Sequence, residues 1–318
     1  MLISIFFLIF GIFLLVKGAE ILISTSLSIG KKLKISEFFI GLIIIGFGTS
    51  ISELLVSIDA VLKDTPDLSV GNIIGSNIAN LLLVTFTAGF LSELKKPKTA
   101  NFDLIFHLVC HLFFLFVFFF SIFNKNFGLI FLSLFSFYLY KCLKKSSSED
   151  VDEIKIEDDF FSRISFISPF KYGTPLLILS IFVTLLGADL TVDSAKTISN
   201  LLKISDSFIG LTVIALGTSL PEIATSITAA RKGKINIIVG NIIGSNIYNL
   251  LLILGLTSLF PAFSYNKEIL SSDVIFLIVS VCFFSFLVFN RITIGRKVSY
   301  ICLLAYIYYL INLYLKNF

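Results

Sequence analysis

The 318-residue chain is 56% hydrophobic and 14% charged, with 36 Phe, 6 Pro and no Trp, where a soluble domain carries about 25% charge. A mean hydropathy of +0.98 excludes a soluble enzyme and a disordered chain alike, since neither hides so much apolar surface from water. Lys and Arg number 25 against 21 Asp and Glu, a net charge of +4, and no basic–aromatic interleaving points to nucleic acid.

At about 20 residues per crossing, the apolar runs at 2–29, 36–62, 69–92, 102–123, 127–143, 173–200, 205–230, 236–260, 270–290 and 298–315 predict ten membrane helices. The first run lacks the basic start and Ala-x-Ala site of a signal peptide. Its Gly18-Ala19-Glu20 recurs as Gly187-Ala188-Asp189 in the sixth run, so it is retained. Lys17, Glu20 and Asp189 suit either an ion entrance or interfacial anchors. Asp103, His107 and His111 recur at i, i+4, i+8 in the fourth run. That spacing suits a transition metal, but the chain has only 2 His and Asp103 is expected at the interface, so no site is read there. The fifth run, with Phe127–Tyr140 uninterrupted, is short for a span and crosses if Lys141 snorkels. Between the fifth and sixth runs lie seven acids, from Glu149-Asp150 to Asp158-Asp159, with no Gly from Ser146 to Tyr172. A calcium loop needs that Gly, so this stretch reads as a solvated connector. Cys110, Cys142, Cys282 and Cys302 lie in apolar segments without CxxC spacing and read as small hydrophobes.

An internal repeat organises the chain. A shift of 169 residues aligns Leu33–Val84 with Leu202–Ile253 without a gap, and Gly71–Val84 matches Gly240–Ile253 at 12 of 14 positions. Five predicted helices separate each element from its copy. Because five is odd, the copy enters from the opposite side, giving an inverted repeat. Loops after odd-numbered runs carry 18 of the 25 Lys and Arg and the opposite loops carry 6, which places both termini outside. The expected fold is an all-α polytopic membrane protein: a five-helix repeat at 1–143, a cytoplasmic acidic linker at 144–172, and an inverted five-helix repeat at 173–318.

Two acids stand deep inside helices at equivalent positions, Glu53 and Glu222. An ionised carboxylate in hydrocarbon costs at least a few kcal/mol and is a functional hypothesis by default. Thr49 and Ser50 share a helix face with Glu53, as Thr218 and Ser219 do with Glu222. Asn72, Ser76 and Asn80 form a stripe copied by Asn241, Ser245 and Asn249. These donors are all oxygen-bearing, and four such helices supply the about 6–8 oxygens that a hard cation such as Ca²⁺ takes. Asn72, Asn77, Asn241 and Asn246 suit helix packing as well as ligation. Gly46, Gly48, Gly217 and Pro221 weaken the helices ahead of the carboxylates, so that freed carbonyls at Gly46 and Ala215 are expected to turn toward an ion. Two carboxylates give a charge of −2. One Ca²⁺ or several Na⁺ neutralise it, and mutually exclusive occupancy is a physical basis for antiport.

Gly48-Thr49-Ser50-Ile51-Ser52-Glu53 and Gly217-Thr218-Ser219-Leu220-Pro221-Glu222 resemble the signature repeats of the sodium/calcium exchangers, within the cation/calcium antiporter superfamily. Gly-Asn-Ile-Ile-Gly-Ser-Asn, at Gly71 and Gly240, is similar to the second half of each signature. The resemblance spans nearly the whole chain. It implies a diamond of ion sites among the second, third, seventh and eighth helices, with the first and sixth sliding across them for alternating access. Carried over by position, the metal ligands are Thr49, Ser50, Glu53, Ser76, Asn80, Thr218, Ser219, Glu222, Ser245 and Asn249. Ser52 stands where the signature usually has Pro, so a milder kink is expected in the first repeat. Asn249 stands where the potassium-dependent branch has Asp, which argues against obligatory K⁺ co-transport.

The expected function is exchange of Na⁺ for Ca²⁺ across a plasma or inner membrane. A Ca²⁺/H⁺ antiporter is the nearest alternative and a cation channel a more distant one. The proton-coupled exchangers show Gly-Asn-x-x-Glu, whereas both motifs here read Gly-Thr-Ser-x-x-Glu, which favours Na⁺. No organic cofactor, nucleic acid or obligatory protein partner is implied. His-Glu-x-x-His, Gly-x-Ser-x-Gly and a paired intramembrane Asp, the marks of a membrane enzyme, are absent from the sequence.

Overall fold

The computed structural model of the chain describes residues 2–97, 100–120, 125–146, 160–201, 215–260, 263 and 267–316. The linker acids at 149–159 and the aligned triplet Lys203-Ile204-Ser205 lie outside them. The long apolar runs become α1 (Leu2–Leu33), α2 (Glu37–Leu62), α3 (Pro66–Leu91), α4 (Asn101–Phe119) and α5 (Lys125–Ser146). After the linker come α7 (Thr174–Leu201), α8 (Leu220–Arg231), α9 (Ile235–Thr257), α10 (Lys267–Phe289) and α11 (Arg296–Lys316). Among the described residues nine helices are long and apolar enough to cross a membrane. The seventh predicted helix is described only from Ala215, through a single turn to Gly217 and then α8.

One element was not expected. Within the stretch read as a solvated connector, Phe160–Ile167 forms α6, which packs on the C-terminal end of α1, with Ser162 and Ser165 buried. The Lys32 ammonium sits 5.0 Å from the Phe166 ring centroid, a cation–π contact across the same seam. Phe160, Phe166 and Ile167 remain exposed. An amphipathic segment of this kind suits the membrane interface. It leads through a π-helical turn, Pro169–Gly173, into α7.

The repeat is visible in the backbone. α2 ends in a turn with Asp64 at φ 55°, closed by Thr65 N donating to Ala60 O at 2.9 Å. α8 ends identically 169 residues on, with Gly233 at φ 66° and Lys234 N donating to Ala229 O at 2.8 Å. Gly accepts the left-handed conformation without strain, and Asp is among the few other residues that tolerate it.

α9 lies at the centre. Its most apolar window is 94% buried, against 22% for α1 and α7, whose outer faces are left to lipid. α2 crosses it backbone to backbone. A Cβ on Gly240 would strike the Phe38 carbonyl, one on Gly244 the Leu42 carbonyl, and one on Gly41 the Ile237 carbonyl. Lipid supplies no hydrophobic drive between helices, so close approach at small residues does the packing. The ion pair of Lys234 Nζ with Glu37 Oε1 at 2.8 Å ties the ends of these two helices.

Asp103, in the first turn of α4, is fully buried in protein. Tyr138 OH donates to its Oδ1 at 3.0 Å and the Cys142 thiol lies 3.7 Å from the same oxygen. The hydropathy pattern placed it near the end of α4, where α5 folds back over it. Among the described residues no group of three metal-ligating side chains forms around it or the two histidines. Lys17 and Glu20 pair at 2.7 Å on a half-exposed surface, and Asp189 is exposed. All four cysteines are free.

Candidate ion site

The two motif helices break at the same place. Ser50 has φ −72° and ψ 2°, and Ser219 has φ −87° and ψ 2°, each leaving the helical region just before a new helix begins. The first repeat leaves the helix at one residue, Ser50, and the second at two, Thr218 and Ser219, the direction expected with Ser52 in place of Pro. Ser52 and Pro221 both sit in the first turn of the following helix, where backbone N–H groups have no intrahelical partner. Each new helix carries its carboxylate, Glu53 or Glu222, in this first turn, at the end that favours negative charge.

α3 and α9 bring the second half of each motif. Both widen into π-helix around the candidate asparagine, at Asn80–Val84 and Tyr248–Ile253. Such turns recur at functional sites because the extra residue re-aims the side chains that follow.

Ten candidate residues converge at the centre, and each is buried except Thr218, which is half-buried. Their contacts cross between the halves reciprocally. Thr49 Oγ1 lies 3.5 Å from Ser245 Oγ, and the equivalent Thr218 Oγ1 lies 3.3 Å from Ser76 Oγ. Ser76 flanks the Glu53 carboxylate; Thr49 and Ser245 flank that of Glu222. The two carboxylates lie close enough to repel one another. This reciprocity is what a pseudo-twofold axis through the site requires.

The site is rich in oxygens with nothing to accept from. Ser50 Oγ, Glu53 Oε1, Asn80 Oδ1, Ser219 Oγ, both Glu222 oxygens and Asn249 Oδ1 are buried without a hydrogen-bond partner. Buried polar groups in native proteins are nearly always satisfied. These seven unpartnered oxygens all belong to the candidate ligands and come from both repeats, and an oxygen-only donor set is what a hard cation takes.

Three of the sequence expectations shift. The Gly46 carbonyl is not freed: it accepts from Ser50 N at 3.1 Å, and the hydroxyls of Thr49 and Ser245 each approach it at 3.4 Å. The break leaves the turn Gly46–Ser50 closed, so that carbonyl is held by its own helix. Asn72 and Asn241 act in packing: Asn72 Nδ2 donates to Ser57 Oγ at 3.0 Å, and Asn241 Nδ2 to the equivalent Ser226 Oγ at 3.4 Å. Asn77 and Asn246 turn away toward α4. Ser52, missed as a site residue, touches candidate ligands of both repeats. Its hydroxyl lies 2.9 Å from Glu53 Oε2, 2.9 Å from Thr49 O and 3.2 Å from Thr218 O. The signal lay in the departure itself, a hydroxyl where the motif ordinarily has none.

Comparison with known proteins agrees with the motifs. A family model described as sodium/calcium exchanger protein matches residues 3–144 and 172–315. The chain is similar to the sodium/calcium exchanger MaX1 of Methanosarcina acetivorans, with 33% identity covering 80% of this chain and 82% of that protein. It is similar to the inner membrane protein YrbG of Escherichia coli, with 31% identity covering 89% and 88%. Among solved structures it resembles the sodium-calcium exchanger NCX_Mj soaked with zero Na⁺ and Ca²⁺, at a TM-score of 0.82 and 29% identity, covering 98% of this chain and 99% of that one. The same exchanger soaked with 10 mM Na⁺ and 10 mM Sr²⁺ gives a TM-score of 0.81. With the family model matching both halves and a relative of this identity over most of its length, the chain belongs to the sodium/calcium exchanger family.

Proposed function

We propose that the protein is a secondary antiporter that exchanges Na⁺ for Ca²⁺ by alternating access, with Thr49, Ser50, Glu53, Ser76, Asn80, Thr218, Ser219, Glu222, Ser245 and Asn249 as its ion ligands. The observation that carries this is the pair of buried, mutually repelling carboxylates ringed by unpartnered oxygens from both repeats. Two like charges held together in a dry interior are unstable alone, and a divalent cation between them relieves both the repulsion and the desolvation cost. Several Na⁺ do the same using the same oxygens. Calcium and sodium therefore take turns, and the loaded carrier is neutralised whichever it holds. Asn249 adds an oxygen without charge, so two carboxylates carry the whole negative charge of the ligand set, which supports exchange without obligatory K⁺.

In this reading residues 1–143 and 173–318 are two halves of opposite orientation, joined by a cytoplasmic linker at 144–172. The loop charge bias supports both termini on the outer side of a plasma or inner membrane. The family match, in two blocks on either side of the linker, supports the division.

The test is calcium uptake by proteoliposomes at clamped pH. An outward sodium gradient is expected to drive radiotracer calcium inward, and dissipating that gradient is expected to stop it. Uptake that needs only a pH gradient would replace Na⁺ by H⁺ in the mechanism. Flux with no counter-gradient at all would make the protein a channel.

A further inference from the structure

His107 and His111 on α4 are fully buried and outside the ligand set, yet each faces one of the two signature asparagines. The hydrogen bonds around His111 can be assigned without ambiguity, because two of the groups only accept. His111 Nδ1 lies 2.8 Å from the His107 carbonyl, so Nδ1 carries the proton and Nε2 of the neutral ring accepts. One terminal atom of Asn77 lies 3.2 Å from that Nε2 and 3.3 Å from the Asn246 main-chain carbonyl. Flanked by two acceptors, it is the NH₂ group. The other atom of Asn77 is then Oδ1, which accepts from Asn249 Nδ2 at 3.0 Å. With its NH₂ occupied, Asn249 is left with Oδ1 buried and unpartnered.

We infer that His111 is a positioning residue that acts through Asn77 to fix the amide of Asn249 with its oxygen, rather than its NH₂, turned to the ion. The inference rests on Asn249 being a ligand. The Asn246 carbonyl holds one N–H of Asn77, and the His111 ring holds the other and sets the plane of the amide. A reversed Asn249 would present two N–H groups to a cation and repel it. The chain has a counterpart on the other half that is not closed. His107 Nε2 lies 3.4 Å from Asn246 Nδ2, but Asn246 Oδ1 and both polar atoms of Asn80 are without partners. His111 therefore matters more to ion affinity than His107.

The experiment measures calcium half-saturation and maximal rate in sodium-loaded proteoliposomes. His111→Phe leaves a buried Asn77 N–H unpaired and is expected to raise half-saturation about tenfold with little change in maximal rate. His111→Gln offers an amide oxygen to the same N–H and is expected to stay within about twofold of the native protein, as is His107→Phe. In an Asn249→Ala background, His111→Phe is expected to add nothing, since the group it positions is gone. Native half-saturation in His111→Phe, or a shift that adds in full to that of Asn249→Ala, overturns the inference. Should His111→Phe fail to accumulate in the membrane, Asn77→Ala breaks the same chain one bond closer and carries the same expectations. Asn249→Ala with unchanged affinity removes Asn249 from the ligand set, and the inference falls with that reading rather than by itself.

Discussion

Glu53 and Glu222 differ in surroundings although they occupy equivalent positions. Glu53 Oε2 accepts from the neighbouring Ser52 at 2.9 Å, whereas Pro221 stands in the equivalent place beside Glu222, whose carboxylate is flanked instead by Thr49 and Ser245. Both are nonetheless needed for charge. A unit charge about 4 Å from another contributes about 4 kcal/mol at an effective dielectric of 20, and Ca²⁺ carries two. Glu53→Gln and Glu222→Gln are each expected to lower sodium-driven calcium uptake by at least about a hundredfold on this estimate. Membrane yield is expected to be unchanged, because a neutral amide is easier to bury than a carboxylate. Tracer flux and quantitative blotting of the membrane fraction read the two outcomes separately. Full exchange by either variant removes that carboxylate from the site.

At the level of the helix, the informative feature is the break rather than the span. If the break at Ser50 is set by backbone geometry, Ser52 lies in a first turn whose N–H groups bond to nothing within the helix, and Ser52→Pro should fold. Its thermal midpoint in detergent is expected to be equal to the native value or higher, by the about 0.4–1 kcal/mol that a compatible proline contributes. Leu55→Pro, at an exposed position one turn further in, is expected to cost about 3 kcal/mol, since it removes an intrahelical bond and clashes with the preceding turn. Equal losses in the two variants would mean the helix runs through Ser50 unbroken. The helices themselves were legible in the sequence because long apolar runs have few solutions in lipid, and the candidate site because a gapless repeat sets Glu53 and Glu222 in register. What was not legible depends on backbone bonding and on contacts between distant segments. The breaks at Ser50 and Ser219, the π-helical turns at Asn80 and Tyr248 and the bonded Gly46 carbonyl leave no mark on hydropathy. Asp103, His107 and His111 read as an isolated periodic stripe until α5 and the two signature asparagines were placed against them. α6 was overlooked because eight residues are too few for a span.

Across the whole molecule, α1 and α7 lie against one another, while Leu22, Ile23 and Leu27 of α1 also enter the main core. They meet closely at Gly11, Gly18 and Gly187; a Cβ on Gly11 would lie 2.7 Å from Thr191 Oγ1 and 2.8 Å from Thr191 N. Their bearing on the ion-binding core differs in character. Leu15, Ala19, Ala188 and Ala224 form a small cluster separate from the main core, with Leu220 packed on it. The two motif glycines face the same seam, Gly48 against Ile181 and Gly217 against Val192. Where this seam is Ala and Gly it has few knobs to interlock, whereas the α1–α7 contact is locked by backbone approach. A short reducible bis-thiol linker from Gly48→Cys to Ile181→Cys spans the seam. It is expected to stop calcium uptake, with uptake restored on reduction. Calcium bound in one half-cycle should remain trapped while the linker is intact, since the carboxylates are untouched. Undiminished turnover with the seam linked would mean that α7 and the core move as one, and access to the site would have to change by some motion within the core itself.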